Sequence, residues 1–276
     1  MLMVTPPAGP SPMPVFVRAE GGVRVAFGAT PRGTAPLTIA ESGGYRVRFP
    51  RTGEGVLINT GGGMTGGDRM SLDVAVGPGA DAVVTTQAAE KIYRSDGPDT
   101  EIAASLDLQP GSRLAWLPQE QILFDGARLR RTLAVAMPGD AALTLVESVV
   151  FGRQAMGENV HAGAFRDRWR IRRDGRLVFA EDVHLDGAVT ATLSHRAVAN
   201  GARALATFLH IAPDAERQLE PAREGLTGAA SECGATAFDG MLLARFLGAD
   251  PQALRADLAR FIEAFRGAPM PRSWQT

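Results

Sequence analysis

Alternation is the feature that most constrains this chain. From about Val15 to His210 it breaks into short, turn-bounded runs, among them "GGVRVAFGAT", "DAVVTTQAAE", "RLRRTLAVAMPGD" and "DRWRIRRDGRLVFAEDVHL". A period of two sends successive side chains to opposite faces of an extended backbone, the pattern of half-buried strands. The punctuation, 32 glycines and 18 prolines in 276 residues, favours many strands and turns over long helices. Asp174-Gly175, between two alternating runs, is a hairpin signal. No repeat period and no interior linker interrupts the series. The expectation is a mainly β fold: one large domain, 15–276, of packed or folded-over sheets, either a β-sandwich or a β-helical arrangement, mostly strand over 15–230.

The C-terminal part changes period. Asp250 precedes Pro251, an N-cap followed by proline at the first helical position. Leu254, Leu258, Phe261, Ile262 and Phe265 then recur at helical spacing, and Gly267 closes the run. "FDGMLLARFLG" reads as a preceding helix ending near Gly248. Two short helices are therefore expected in a helical element at 231–268, followed by a tail at 269–276. Their apolar stripes, including Leu243, Phe246, Leu258 and Phe261, either pack on the protein's own sheet or support a partner surface.

Several function classes lose ground on composition. The net charge is −1, without the basic excess usual in nucleic-acid binders. One cysteine, Cys233, allows no internal disulfide, and the four histidines are scattered without metal-ligand spacing. The first 14 residues, "MLMVTPPAGPSPMP", lack the charged and apolar regions of a signal peptide and are expected to be a disordered Pro-rich lead-in. No run reaches membrane-spanning length, so no membrane association and a cytoplasmic location are expected.

Gly61, Gly63 and Gly66 satisfy G-x-G-x-x-G. That fingerprint needs a helix after it, whose N-terminus holds the pyrophosphate. "DRMSLDVAVG" alternates instead, so a strand is expected after the glycines and no bound nucleotide.

Three carboxylates fall in phase with apolar rows. Asp68 is in phase with Met70, Leu72, Val74 and Val76; Glu147 with Leu143, Leu145, Val149 and Phe151; Glu181 with Leu177, Phe179, Val183 and Leu185. A lone buried carboxylate is costly unless paired, hydrogen-bonded or protonated. Arginines could neutralise each, or the strands could be buried on both faces. Alternatively the three build an internal polar site. Converging carboxylates also suit glycosidase-like hydrolysis, the rival class, although no nucleophile motif accompanies them.

Several motifs together resemble one known family. "NTGGGMTGGD", "TTQAAEKIYRS", "LPQEQILFDGARL", "ESVVFGRQAMGE", "RRDGRLVFAEDVHL" and the terminal "MPRSWQ" occur in the order seen in the urease accessory protein UreD (UreH) family. The segment "TAFDGMLLARFLG" departs from it, with Phe238 and Asp239 where relatives often show Trp and Asn. The resemblance implies a mainly β, non-catalytic maturation factor with no permanently bound cofactor. It implies action with UreF, and through UreF with UreG, on apo-urease, and passage of Ni²⁺ along an internal route. Asp68, Glu147 and Glu181 match acidic positions of the family and are the candidate residues along that route. Leu243, Phe246, Leu258 and Phe261 are the candidates for the UreF side.

Overall fold

The computed structural model describes residues 17–275, so the expected lead-in at 1–14 lies outside the described residues. The strands are β1 (Glu20–Thr30), β2 (Gly33–Ser42), β3 (Tyr45–Arg51), β4 (Glu54–Asn59), β5 (Arg69–Val76), β6 (Asp81–Thr86), β7 (Glu90–Ile92), β8 (Thr100–Leu108), β9 (Arg113–Leu117), β10 (Gln121–Leu123), β11 (Arg128–Met137), β12 (Ala142–Phe151), β13 (Gly163–Arg173), β14 (Arg176–Gly187), β15 (Ala204–Ile211), β16 (Glu232–Phe238) and β17 (Met241–Gly248). The α-helices are α1 (Val189–Ser194), α2 (Leu219–Gly225) and α3 (Pro251–Arg266).

Two sheets result. Sheet A runs β14-β13-β11-β8-β5-β1-β2; sheet B runs β16-β17-β15-β12-β9-β6-β4-β3, with β10 and β7 joined beside β12. The chain shuttles between them. In sheet A, β1, β5, β8, β11 and β13 lie side by side and parallel to one another. In sheet B the same holds for β4, β6, β9 and β12. Parallel neighbours need a crossover connection, and here a strand of the opposite sheet supplies it. The winding is solenoid-like, the β-helical one of the two expected arrangements.

Alternation positions the core. Val23, Val25, Leu72, Val74, Leu133 and Val135 of sheet A face Val47, Leu57, Val84, Leu143 and Leu145 of sheet B. Each fully buried side chain of this size stabilises the fold by about 1.5–3 kcal/mol. The outer face of sheet A is polar. The outer face of sheet B is covered: Val146, Phe208, Leu242 and Phe246 pack against Leu254, Leu258, Phe261 and Trp274. Sheet B is therefore buried on both sides in its middle, as β12 shows by having nearly every residue buried.

Helix α3 begins and ends where its caps require. The Asp250 side chain accepts hydrogen bonds from the Gln252 and Ala253 amides, and Gly267 takes the left-handed C-cap conformation at φ 61°. The expected helix over "FDGMLLARFLG" is not formed. That segment is the turn and second strand of a hairpin, β16 and β17, so 232–248 is a strand–turn–strand unit and only 251–266 of the expected helical element is helix. Asp239 and Gly240, at φ 50° and 71°, make the turn, the Asp-Gly chemistry already visible at Asp174-Gly175. The near-continuous apolar run "MLLARFLG" hid the strand because both of its faces are covered. The second C-terminal helix is α2, upstream of the hairpin.

Candidate functional site

The glycine segment packs a loop onto its neighbours. Strand β5 follows it, so no helix N-terminus stands there. The Met64 amide donates to Lys91 O at 2.8 Å, and the Tyr93 amide donates to Met64 O at 2.7 Å. A Cβ on Gly63 would stand 2.4 Å from the Tyr93 ring, and one on Gly66 1.9 Å from Ser95 Oγ. Close backbone approach is what the glycines provide.

All three carboxylates are turned inward, as their phase predicted, but they do not share one environment. Asp68 is buried on the side of β5 that carries Met70 and Leu72. Its oxygens are taken by backbone: Oδ1 accepts from the Ala19 amide and Oδ2 from the Thr65 amide, each at 2.8 Å. It ties the glycine loop to the start of β1.

Glu147 belongs to a buried network spanning both sheets. From β12 it accepts a hydrogen bond from Trp116 Nε1 at 2.8 Å and pairs with Arg131 Nη1. Arg131, on β11 of the opposite sheet, also donates from Nη1 to Gln121 Oε1 at 2.6 Å. The other edge of its guanidinium grips Asp167 on β13 in a fork, Nε to Oδ1 at 2.9 Å and Nη2 to Oδ2 at 2.5 Å. Trp169 Nε1 donates to the same Asp167 Oδ2 at 2.9 Å. Burial pushes the Glu147 carboxyl above its ordinary range; Arg131 and Trp116 oppose this, and the charge of Asp167 adds to it. Burial disfavours the Arg131 charge, but Asp167 and Glu147 outweigh it and hold the guanidinium protonated.

Glu181 continues this seam toward the sheet edge. It lies on β14 opposite Trp169 and pairs with Arg245 of β17. Glu147, Thr207 and Arg245 are in register across β12, β15 and β17, and Arg245 Nη1 donates to Thr207 Oγ1 at 3.3 Å. The structure thus places Glu147 and Glu181 along one ionised seam between the sheets and leaves Asp68 outside it.

A cavity of about 240 Å³ opens onto the seam. Tyr45, Asn59, Glu90, Trp116, Arg131 and Glu147 line it, and exposed Gly62, Gln87 and Lys91 form its rim. Glu90 accepts from Asn59 Nδ2 at 2.9 Å. Burial raises its carboxyl to about 7, against the pull of Asn59 and Lys91. Among the described residues no cluster of three or more His, Cys, Asp or Glu is placed to hold a metal ion. No helix among them is long and apolar enough to cross a membrane.

Sequence reasoning singled out the acids but missed Arg131 and Asp167. The same phase test finds both: Arg131 alternates with Leu129, Leu133, Val135 and Met137, and Asp167 with Phe165, Trp169 and Ile171. The candidate partner residues lie beneath the surface. Phe246, Leu258 and Phe261 are fully buried between sheet B and α3, and Leu243 points into the inter-sheet core. Phe246, Leu258 and Phe261 seat α3 on sheet B, whereas Leu243 faces the other side of β17.

Fold and site together define a wound β scaffold with an ionised interior seam and a helical cap on one sheet. Residues 19–275 match the family model described as UreD urease accessory protein. The chain is 53% identical over 270 residues to "Urease accessory protein UreD" of Methylobacterium sp. (strain 4-46), covering 94% of this chain and 95% of that one. It is 49% identical to "Urease accessory protein UreD 3" of Methylorubrum extorquens (strain PA1), with 94% and 91% covered. It is 47% identical to "Urease accessory protein UreD" of Xanthobacter autotrophicus, with 94% and 91% covered. The chain belongs to the UreD family of urease accessory proteins.

Proposed function

We propose that this chain is a non-catalytic, cytoplasmic maturation factor that helps load nickel into urease, acting with UreF and UreG on apo-urease, and that the inter-sheet seam is the path its cargo takes. The observation that carries this reading is Glu147, a carboxylate in the protein's interior, bordering a cavity and continued by Glu181 toward the opposite sheet edge. Carboxylates are weak, exchangeable ligands for Ni²⁺ compared with thiolates or clustered imidazoles, which suits transit better than storage. A conduction path needs binding firm enough to admit the ion and loose enough to release it. Acidic groups also offset the ion's desolvation inside the protein. Asp68, with both oxygens occupied by amides, serves the loop in this reading and not the path.

The hydrolase alternative asks for two carboxylates facing each other across a cleft. Glu147 and Asp167 instead face one guanidinium, which favours the scaffold. The UreF side is assigned to the outer face of α3, where Gln252, Ala256, Arg260 and Ala264 are exposed.

The test is urease matured in cells with each variant. A double Glu147→Gln, Glu181→Gln chain should remain folded and bind UreF, yet yield urease with less nickel and less activity. Normal nickel content would remove the route. Lost solubility or lost UreF binding would assign the two acids to structure alone.

A further inference from the structure

The path proposed above, on which this inference rests, meets an obstacle at Arg131. Its guanidinium lies between a carboxylate of sheet B and a carboxylate of sheet A, and the residue borders the cavity. Every group it contacts there is an oxygen acceptor: Glu147 Oε2, both oxygens of Asp167 and the amide Oε1 of Gln121. We infer that Arg131 stands in for the cargo: the guanidinium occupies a built cation site, and a divalent cation enters that site by displacing it.

Three features support the exchange. The two carboxylates each have a second donor besides Arg131. Trp116 Nε1 holds Glu147 and Trp169 Nε1 holds Asp167, each a buried indole with its own bond to a carboxylate oxygen. When the guanidinium leaves, the oxygens stay convergent.

Charge points the same way. With both carboxylates ionised, two carboxylates and one guanidinium leave the buried cluster with one excess negative charge; burial first, and then the charge of Asp167, make Glu147 costly to ionise there. A dication in place of the guanidinium makes the cluster neutral. Carboxylate and amide oxygens are also a donor set that divalent ions accept.

Space is the third feature. Arg131 borders the cavity, so its long side chain has room to swing into without repacking the core. An internal competitor that returns to the site keeps it from becoming a trap, which a transit site requires.

The experiment uses the purified full chain and nickel sulfate, without urease, in calorimetric titration near neutral pH. Lysine keeps the positive charge but is a point donor that cannot grip a carboxylate in a fork. Arg131→Lys should therefore bind one Ni²⁺ about tenfold or more tightly than the wild type, and Arg131→Gln tighter still. Adding Glu147→Gln or Asp167→Asn to either variant should abolish the gain.

A folded Arg131→Lys chain that binds no tighter than wild type overturns the inference, as does a gain that survives both carboxylate changes. If a variant is only marginally folded, nickel sulfate must raise its Tm by more than it raises that of the wild type; equal shifts overturn the inference too. Tighter binding alongside normal urease loading by a Glu147→Gln chain would support the cation site while removing the route. No gain alongside impaired loading would leave the route and remove the site.

Discussion

Glu181 and Arg245, 64 residues apart, form an ion pair that joins the two sheets at one edge of the inter-sheet space. Glu181 projects from β14 of sheet A and Arg245 from β17 of sheet B, and their side chains are 17% and 48% exposed. A pair this accessible is screened and contributes at most about 1 kcal/mol. Glu181→Gln should therefore shift the urea midpoint little while lowering the nickel content of urease matured with it. A large loss of stability with unimpaired loading would reassign Glu181 to holding the edge shut.

The buried end of the seam should behave differently, and unequally. Arg131→Met strands two carboxylates in the core and should cost about 3–5 kcal/mol. Glu147→Gln leaves Arg131 its fork on Asp167 and keeps an oxygen for the Trp116 indole, so about 1–2 kcal/mol is expected. Urea unfolding of both variants checks the order. Equal costs would mean that Arg131 is not the shared counter-charge of the cluster.

Much of this was legible in the sequence, and the reason is sidedness. Sheet A has one wet face, so its strands alternate cleanly and Asp68 and Glu181 declare their inward direction. Sheet B is covered by α3 on its outer face. There, β17 lost its alternation and resembled a helix, although Asp239-Gly240 carried the turn signal. Glu147 was still visible because a single charge interrupts an otherwise apolar strand. Its counter-charge was equally visible in principle, since Arg131 interrupts the inward row of β11 in the same way. What alternation cannot supply is which inward-facing residues meet. Pairing Glu147 of β12 with Arg131 of β11 depends on how the sheets stack, and no local pattern encodes that. The separation of Asp68 from the seam is of the same kind, fixed by two backbone amides 3 and 49 residues away.

The C-terminal tail should be essential to the fold. Trp274 is buried against sheet B and α3, its Nε1 donating to Leu117 O at 3.0 Å and Thr85 Oγ1 at 3.2 Å. Arg255 of α3 lies over its ring, 4.6 Å from the centroid. Trp274→Ala removes this packing and should cost about 3–5 kcal/mol. Thermal unfolding reads it directly; a loss under about 1 kcal/mol would show that the tail is dispensable.

Glu90 should give stability a pH dependence of definite sign. Its carboxyl is raised from 4.5 to about 7, chiefly by burial. Between those values the folded chain keeps a proton that the unfolded chain has released. Stability therefore falls as pH rises through the window, and the full penalty is present above about pH 7. The groups around Glu90 do not reverse this. Asn59 and Lys91 oppose the shift without cancelling it, and the phenol of Tyr45 is itself held neutral by burial and by the charges of Glu90 and Asp68. Glu90→Gln removes the titration and retains an oxygen for Asn59 Nδ2. The variant should exceed the wild type by up to about 3 kcal/mol at pH 8, with the difference shrinking toward zero near pH 4.5. Urea midpoints measured across that range decide the matter. A constant offset would mean that the carboxyl titrates alike in both states and that the cavity rim is open enough to hydrate it.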